Sequence, residues 1–464
     1  MPQLFSSPPP SDRTWMSPQA VAREAQIRSS LESTGLDEVD RRIFDLIERN
    51  REIHDRECIN LNPASNVMNP RAEAVLSSGL TTRASLGHPG DKYEMGLEAI
   101  EEIEVIANEL ARAVFHAEYA ELRVGSGALA NLYAFMATCE PGDSIVVPPA
   151  EIGGHVTHRR AGAASLYGLD IHEHPIDPAT FSVDLDGLAE LVDRVRPKLI
   201  TVGTSLNLLP HPVAEIRTIA DRVGARVLFD AAHACGMIAG GVWPNPLDEG
   251  ADLMTMSTYK SLGGPAGGIV FTNRADLADR LDAIAYPGLT ANFDVAVTTA
   301  LAITLLDWLD VGADYAHAMA ANAEALAGAL DDLAVPVHTV GGVHTRSHQL
   351  VVDARRWGGG GEAAVRLRRG NLLASAIGLP GDEAAGLRFG TPEITRIGMT
   401  TTDMPELAAL IASGLRDPDA VAGPTSELRR RFDTVHFVRD PDNPLRSPGV
   451  QPDARPGHAQ GAQR

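Results

Sequence analysis

The stretch MTMSTYKSLGGPAGG, residues 254–268, is the most informative in the sequence, because it contains a lysine in a distinctive setting. Lys260 follows small hydroxylated residues and precedes a glycine-rich segment. A lysine amine that forms a Schiff base with pyridoxal 5'-phosphate (PLP) must swing away when substrate displaces it, and glycines leave room for that movement. We therefore take Lys260 as a candidate PLP-binding residue. A surface lysine beside a glycine-rich turn is the alternative interpretation of this stretch.

A second motif lies thirty residues earlier, in VLFDAAHACG, residues 227–236. An apolar strand ends at Asp230, and His233 follows. Open α/β sheets bind ligands at the carboxyl ends of their strands, and a carboxylate there can keep the pyridine nitrogen of PLP protonated. Asp230 could instead cap the next helix. The spacing to Lys260 fits one further helix and strand, which favours the cofactor role.

A third motif, RVGSGALANLYAF at residues 123–135, predicts a phosphate site. Ser126 lies between two glycines at the start of a helical pattern. Free backbone N–H groups and the helix dipole at such a start attract phosphate. Gly-Ser-Gly is also common in ordinary loops, but its position about a hundred residues before Asp230 and Lys260 strengthens the cofactor interpretation.

Two further segments carry candidate site residues. In EIGGHVTHRRAG, residues 151–162, His155 is a candidate for stacking on the cofactor ring. Metal binding by His155 and His158 is the rival, but no carboxylate or cysteine with ligand spacing is nearby, so we expect no metal. In GLRFGTPEITRIG, residues 386–398, Arg388 could bind a substrate carboxylate bidentately or form a structural ion pair.

The segments around these motifs alternate between short apolar runs and helical patterns, which predicts an α/β fold with a mostly parallel sheet. Helices are expected in LDGLAELVDRVR and VAEIRTIADRVG, and a smaller α+β domain follows a long helical region. We predict an N-terminal extension and arm (1–40), a large PLP-binding domain (41–325), a small C-terminal domain (326–435) and a disordered tail (436–464). The predicted strands are SIVVPP, SLYGLDI, KLITVGTS, RVLFDAAH and GGIVFTN, followed by HQLVVDA, VRLRRGNLLAS and AAGLRFGTP in the smaller domain.

Composition limits the possible partners. The 464 residues carry a formal net charge of −21, which disfavours nucleic acid and anionic membranes because their phosphates would be repelled. The three cysteines show neither metal nor disulfide spacing, and no apolar run approaches membrane-spanning length. The N-terminus lacks the pattern of a secretory signal. We therefore expect a cytoplasmic protein with no membrane or nucleic-acid partner.

Taken together, the motifs resemble those of serine hydroxymethyltransferases over roughly residues 41–415. The resemblance implies PLP-dependent fold type I, like aspartate aminotransferase, and a homodimer whose active sites are shared between subunits. It implies that Lys260 forms the Schiff base, Asp230 pairs with the pyridine nitrogen, and His155 stacks on the ring. The other residues it implies are Ser126, Gly127, Ser205, His233 and Ser257 for the cofactor and Arg388 for the substrate. We also predict that Ala128 contacts the cofactor, that Tyr259 is catalytic, and that Glu94 and Ser65 bind the substrate. The motifs that carry it are INL…NPR, HPGDKY, SGALAN, EPGD, GGHVTH, IAD with LFDAAH, GVWPNP, KSLGGP, YPG and LRFGTPEITRIG.

The sequence also departs from that family. A Tyr-x-Glu motif, whose glutamate moves protons in the folate-dependent reaction, is replaced by Ala84 and Leu86. Leucine cannot move a proton, although Glu94 could partly substitute. The histidine before the active-site lysine is Tyr259. The remaining departures are Tyr93 and Glu94 for two tyrosines, Ala128 and Leu129 for Ser-Gln, Ala266 for an arginine, and Leu289–Asn292 for a glycine-rich loop.

These departures favour a specialised, folate-independent relative. The leading hypothesis is aldol-type cleavage or transfer at the α-carbon of a small amino acid such as glycine, serine or threonine. Different PLP chemistry on the same scaffold is the alternative: β-elimination from a cysteine conjugate, transamination, or decarboxylation with deamination. The smaller side chains at 84 and 86 also leave room for a bulkier substrate. A binding protein without catalysis is disfavoured because the lysine, aspartate, histidine and arginine occur together.

Overall fold

The structure, a computed structural model, describes residues 13–32 and 34–439. Its residues fall into two compact units divided between Cys58 and Ile59. Residues 1–12 and 440–464 lie outside the described residues. They include the start of the predicted N-terminal extension and most of the predicted tail. The boundaries predicted at 40/41, 325/326 and 435/436 stay predictions.

The first unit is helical among its described residues. Helix α1 (Pro18–Ser29) begins after Ser17, whose side chain accepts a hydrogen bond from the Ala20 N–H. Helix α2 (Leu36–Arg51) continues into a π-helical turn that ends at Glu57. Several large apolar side chains of α2 are exposed within this unit: Leu36, Ile43, Phe44, Leu46 and Ile47.

The second unit contains the remaining helices and all the strands among the described residues. The helices are α3 (Pro70–Val75), α4 (Glu98–Phe115), α5 (Gly127–Thr138), α6 (Ala163–Leu166), α7 (Leu185–Val195), α8 (Val213–Asp221), α9 (Cys235–Ala239), α10 (Ala275–Ala283), α11 (Val295–Asp332), α12 (Gly360–Arg369), α13 (Pro392–Arg396), α14 (Met404–Gly414) and α15 (Ala422–Arg429). The strands are β1 (Ile59–Asn60), β2 (Gly87–His88), β3 (Asp91–Lys92), β4 (Tyr119–Val124), β5 (Ser144–Val147), β6 (Asp170–Glu173), β7 (Ile176–Asp177), β8 (Ser182–Val183), β9 (Leu199–Val202), β10 (Arg226–Asp230), β11 (Leu253–Ser257), β12 (Gly268–Thr272), β13 (Gln349–Asp353), β14 (Leu372–Leu373), β15 (Ser375–Leu379) and β16 (Asp382–Gly390).

The main sheet has seven strands in the order β4-β12-β11-β10-β9-β5-β6. All are parallel except β12, which runs antiparallel to both neighbours. Strands β9, β11 and β12 are buried along their whole length, as expected for a sheet covered on both faces. The prediction of an α/β fold with a mostly parallel sheet is confirmed.

Two predicted strands are partly wrong. In SLYGLDI, residues 165–171, Ser165 and Leu166 belong to helix α6, and strand β6 begins only at Asp170. In VRLRRGNLLAS, the first part belongs to helix α12, because its apolar side chains recur at helical spacing and bury Ala363 and Leu367. The chain then pairs at β14 in parallel with β1, and β13, β16 and β15 form a small antiparallel sheet.

Helix α11 is the long apolar helix of the second unit. By length and composition it is the one candidate membrane span among residues 13–32 and 34–439. However, 61% of its most apolar window is buried inside the protein. It is therefore the core helix of this unit, as the expectation of no membrane partner requires.

Glycine at position 312 lets α11 accommodate the Trp308 ring. A Cβ at Gly312 would lie 2.6 Å from Trp308 Cε3. The ring is 5% exposed and its Nε1–H donates to the Leu262 carbonyl at 2.8 Å, so it cannot move aside cheaply.

We expect Gly312→Ala to lower the free energy of unfolding by about 1–3 kcal/mol, because it overpacks this contact. Gly328→Ala in the same helix is the matched control, since nothing lies within 4 Å of its added Cβ. That control should raise stability by up to about 1 kcal/mol through helix propensity. Urea unfolding measures both, and equal effects at the two positions would contradict this packing.

Candidate active site

Lys260 lies just beyond the carboxyl end of β11, in the turn that leads to the glycine-rich segment. Its side chain is buried, with 6% of the residue exposed. Its Nζ lies 3.2 Å from His233 Nε2. Burial lowers the pKa of Lys260 to about 8, an effect that the Asp230 carboxylate opposes and the Arg388 guanidinium reinforces. The amine is therefore neutral in about a tenth of the molecules at pH 7 and in about half at pH 8.

Lysine is rare in this chain, which makes Lys260 stand out further. The sequence contains three lysines, Lys92, Lys198 and Lys260. Lys92 is buried but forms an ion pair with Glu104 at 2.7 Å, and Lys198 is exposed. Lys260 is thus the buried lysine that has no carboxylate within ion-pair distance in the described part of the chain. A simple count of lysines would have strengthened the prediction made from the motif.

Asp230 ends β10, which pairs in parallel with β11, so the two strands carry Asp230 and Lys260 to the same edge of the sheet. Asp230 Oδ2 lies 2.9 Å from both His158 Nε2 and Asn131 Nδ2. Burial alone would raise the pKa of Asp230, but the hydrogen bond and charge of His158 and the hydrogen bond from Asn131 hold it well below its usual range. The carboxylate is therefore ionised. Oδ1 also accepts from the Ala232 N–H at 2.9 Å. Helix α9 begins after Ala234 without a side-chain cap, so Asp230 does not cap the next helix.

The helix start that the third motif predicts is present, and its role in binding phosphate stays a prediction. Ser126 N-caps helix α5, and its Oγ accepts from the Leu129 N–H at 3.2 Å. A Cβ at Gly127 would lie 2.2 Å from Ser257 Oγ, so only glycine lets the helix start approach the end of β11. The first-turn N–H groups of Gly127 and Ala128 have no acceptor within the helix. This helix terminus therefore offers donors for an anion beside the strand that leads to Lys260.

The two histidines of the fourth motif have different partners. His155 Nδ1 accepts from the Thr157 N–H at 3.4 Å and lies 2.8 Å from Thr157 Oγ1. Burial lowers the pKa of His155, so its ring is neutral near pH 7. His158 is fully buried and binds Asp230. The pair is therefore not arranged around a shared ligand, and the role of His158 as the partner of Asp230 was missed in the sequence.

Arg388 lies on β16 and is buried, with 6% exposed. Its guanidinium donates to the Ser205 carbonyl and, from Nε and Nη2, to Ser375 Oγ at 3.2 and 3.0 Å. No carboxylate lies within ion-pair distance of it among residues 34–439, which argues against the structural ion pair. Burial lowers the pKa of Arg388 to about 10, so it stays protonated at neutral pH. An uncompensated buried guanidinium fits a substrate carboxylate.

The structure does not bring every predicted residue into this network. Glu94 Oε2 accepts from the Leu86 N–H at 3.3 Å, and Tyr259 is 37% exposed. Ser65 Oγ accepts from Asn60 Nδ2 at 2.9 Å. Within one described chain none of these three side chains hydrogen-bonds with Lys260, His233 or Arg388. Their assignments to catalysis and to the substrate stay predictions.

Together, the amine of Lys260, the ionised Asp230 and the glycine-built helix start supply what PLP requires. The amine can form a Schiff base, the carboxylate can hold the ring nitrogen protonated, and the helix start can bind phosphate. The close approach of Gly127 to Ser257 is the structural observation that supports this fit. The residues present are thus chemically suited to PLP.

Comparison with known proteins agrees with this site. The family model of serine hydroxymethyltransferase matches residues 36–411. The chain belongs to the serine hydroxymethyltransferase family. It is 56% identical over 424 residues to an α-methylserine aldolase of Variovorax paradoxus, covering 90% of this chain and 95% of that one. It is 53% identical over 410 residues to another of Ralstonia sp, covering 87% and 94%.

A serine hydroxymethyltransferase of Methanopyrus kandleri is more distant, at 38% identity over 391 residues, 82% of this chain and 91% of that one. The predictions of a PLP-dependent enzyme of fold type I are confirmed by the family. The prediction of aldol-type chemistry at the α-carbon of a small amino acid is confirmed as well.

The lowered pKa of Lys260 predicts how this family member reacts with carbonyl compounds. Only the neutral amine attacks, so in cofactor-free protein the rate of Schiff-base formation with pyridoxal should rise with pH and level off above about pH 8. The Lys260→Ala variant provides the background from Lys92 and Lys198. Absorbance of the product measures the profile, and a midpoint near the ordinary lysine value of 10.5 would contradict the effect of burial.

Proposed function

We propose that this enzyme cleaves α-methylserine between its α-carbon and its hydroxymethyl carbon, without folate. The observation that carries the proposal is the likeness to four α-methylserine aldolases, 53–58% identical over 85–90% of this chain. When the bond breaks, the hydroxyl loses its proton and formaldehyde leaves. A proton then replaces the lost carbon at the α-carbon, so the second product is alanine.

The chain's own residues bind and orient this substrate. The buried guanidinium of Arg388 pairs with the substrate carboxylate and holds the α-carbon in a fixed orientation, which decides which of its bonds is cleaved. Bound PLP supplies the electron sink that stabilises negative charge at the α-carbon. Asp230 stays ionised through its contacts with His158 and Asn131, as that role requires.

Two side chains are suited to move protons. Lys260, with a pKa of about 8, can accept the hydroxyl proton at Nζ and return a proton to the α-carbon. His155 uses Nδ1 to accept from Thr157, so its neutral ring carries the proton at Nε2. We assign Lys260 as the acid–base group and His155 as the stacking ring with a proton at Nε2.

The replacements at positions 84 and 86 support a folate-independent reaction on a substrate with an extra methyl group. Neither Ala84 nor Leu86 can transfer a proton. Ala84 is smaller than the family's tyrosine, and Leu86 lacks the charge of the family's glutamate. Glu94, the candidate substitute, already accepts a hydrogen bond from the Leu86 N–H. A substrate that releases free formaldehyde requires no folate acceptor.

The test is an assay of purified, PLP-loaded enzyme with α-methylserine and no folate. We expect formaldehyde and alanine in equal amounts. L-serine, L-threonine and an S-substituted cysteine serve as comparison substrates. Faster release of pyruvate or free thiol from the cysteine compound would replace this proposal by β-elimination, and no formaldehyde from α-methylserine would contradict it.

The carboxylate clamp makes its own prediction. Arg388→Ala should raise KM for α-methylserine roughly 10- to 100-fold, since a charge-assisted pair of hydrogen bonds is lost. Arg388→Lys should restore part of the affinity, because it keeps the charge without the bidentate geometry. Arg369→Ala, at an exposed arginine of α12, is the control and should leave KM unchanged. An unchanged KM for Arg388→Ala would remove Arg388 from the substrate site.

We also infer that the enzyme is a homodimer with active sites shared between subunits. The residues that flank Glu94 support this inference: Tyr93 is 81% exposed and Met95 is 84% exposed. Large apolar side chains this exposed, next to a predicted substrate-binding residue, are typical of a surface that a partner covers. A second subunit would also explain why Glu94 makes no contact with Lys260 in the described single chain.

Mixing inactive variants tests the shared sites. Lys260→Ala and Glu94→Ala should each lower activity, and hybrids formed by dissociating and reassociating the two should regain it, because one site then has both residues. A mixture of Lys260→Ala with Asp230→Ala is the control and should stay inactive, since both residues serve the same site of one chain. A monomer by light scattering, or no recovery in the first mixture, would contradict the dimer.

A cytoplasmic location completes the proposal. The three cysteines, Cys58, Cys139 and Cys235, are buried and free. Burial raises the pKa of the Cys139 thiol to about 11, which keeps it unreactive. Unpaired thiols are typical of proteins that function in a reducing compartment.

A further inference from the structure

Gln349, the first residue of β13, is fully buried and lies between the segment Ser205–Asn207 and His233. Its Oε1 accepts from the Asn207 N–H at 2.7 Å. Its Nε2 lies 3.2 Å from the Ser205 carbonyl oxygen and 3.2 Å from His233 Nδ1. No role was predicted for it from the sequence, and it does not itself contact Lys260.

Two backbone groups determine which way the Gln349 amide points. The Asn207 N–H can only donate, so the atom facing it must be the amide oxygen. The Ser205 carbonyl can only accept, so the atom facing it must be the amide nitrogen. The orientation of this side chain is therefore fixed by chemistry.

This orientation determines the protonation of His233. An amide nitrogen donates and does not accept, so His233 Nδ1 must be the acceptor. Burial lowers the pKa of His233 well below its ordinary value, so the ring is neutral. A neutral ring that accepts at Nδ1 carries its proton at Nε2, which is the atom 3.2 Å from Lys260 Nζ.

We propose that Gln349 is a positioning residue that fixes the Nε2–H tautomer of His233 and thereby favours the uncharged form of the Lys260 amine over the ammonium. An ammonium has no lone pair and cannot accept from Nε2–H, whereas a neutral amine can. Gln349 therefore acts on the amine through His233. The inference concerns the resting amine and does not depend on which amino acid is the substrate.

Other charged groups face Lys260 but do not select this tautomer. Asp230 from β10 favours the ammonium, and Arg388 from β16 disfavours it. Cys235 from α9 contributes weakly, and His155 is neutral. In the described part of the chain, the hydrogen-bond partner of His233 Nδ1 is Gln349, so the tautomer is set there.

The direct test is solid-state NMR of cofactor-free protein with ¹⁵N-labelled histidine. The His233 signals are assigned by their loss in His233→Asn. We expect Nδ1 to appear unprotonated and Nε2 protonated at neutral pH. The opposite pattern in the parent protein would overturn the proposal, whatever the variants do.

The variant that separates positioning from packing is Gln349→Glu, which keeps the shape but replaces the donor by an acceptor. Its carboxylate can still accept from the Asn207 N–H. His233 Nδ1 must then donate, so the tautomer should reverse. The apparent pKa of Lys260, measured from the pH profile of pyridoxal binding, should rise by roughly 1 unit or more. An unchanged tautomer and an unchanged profile would reduce Gln349 to a structural role.

Two further variants guard against a merely structural effect. Asn322→Asp also places a carboxylate at a buried amide, one that donates to Thr395 Oγ1 and the Met399 carbonyl. It should lower stability but leave the His233 signals and the Lys260 profile unchanged. Gln349→Met keeps a side chain of similar size but removes the N–H donor, so His233 should populate both tautomers. This variant decides the question if Gln349→Glu does not fold. A single, unchanged tautomer in Gln349→Met would overturn the proposal.

Discussion

The site depends on two buried cations that have no carboxylate to neutralise them within the described chain. The Lys260 amine and the Arg388 guanidinium are each 6% exposed. An unpaired buried charge costs several kcal/mol, and proteins avoid that cost by neutralising the group or surrounding it with oriented dipoles. Lys260 reduces this cost through a pKa lowered to about 8, which makes its neutral form accessible. Arg388 stays charged and is surrounded by oriented dipoles, namely the Ser205 carbonyl and Ser375 Oγ. The aldehyde of PLP matches the amine, and the carboxylate of an amino-acid substrate matches the guanidinium.

The sheet explains how these groups meet. Adjacent parallel strands β10 and β11 place Asp230 and Lys260 at one edge, while the start of α5 reaches the same edge because Gly127 allows close contact with Ser257. Arg388 comes from the small antiparallel sheet, and Gln349 comes from the neighbouring strand of that sheet. The active site therefore joins the end of the large sheet to one face of the small one. Changes in either sheet alter the electrostatics of the same amine.

Sequence reasoning succeeded where a role depends on local pattern. The spacing from Asp230 to Lys260 correctly predicted one intervening helix and strand, here α9 and β11. Ser126 and Gly127 were predicted at a helix start, which the structure has at α5. It failed where a role depends on distant partners. His158 and Asn131 lie 72 and 99 residues from Asp230 in sequence, and no periodicity links them. Gln349 resembles any other polar residue at a strand start until its contacts are known.

The measurement that tests the central claim most directly is reduction of the PLP-loaded enzyme with borohydride, followed by mass spectrometry of its peptides. Reduction makes the Schiff base permanent, and the chain's three lysines fall in separate regions of the sequence. We expect the pyridoxyl label on Lys260 alone. A label on Lys92 or Lys198, with Lys260 unmodified, would contradict it.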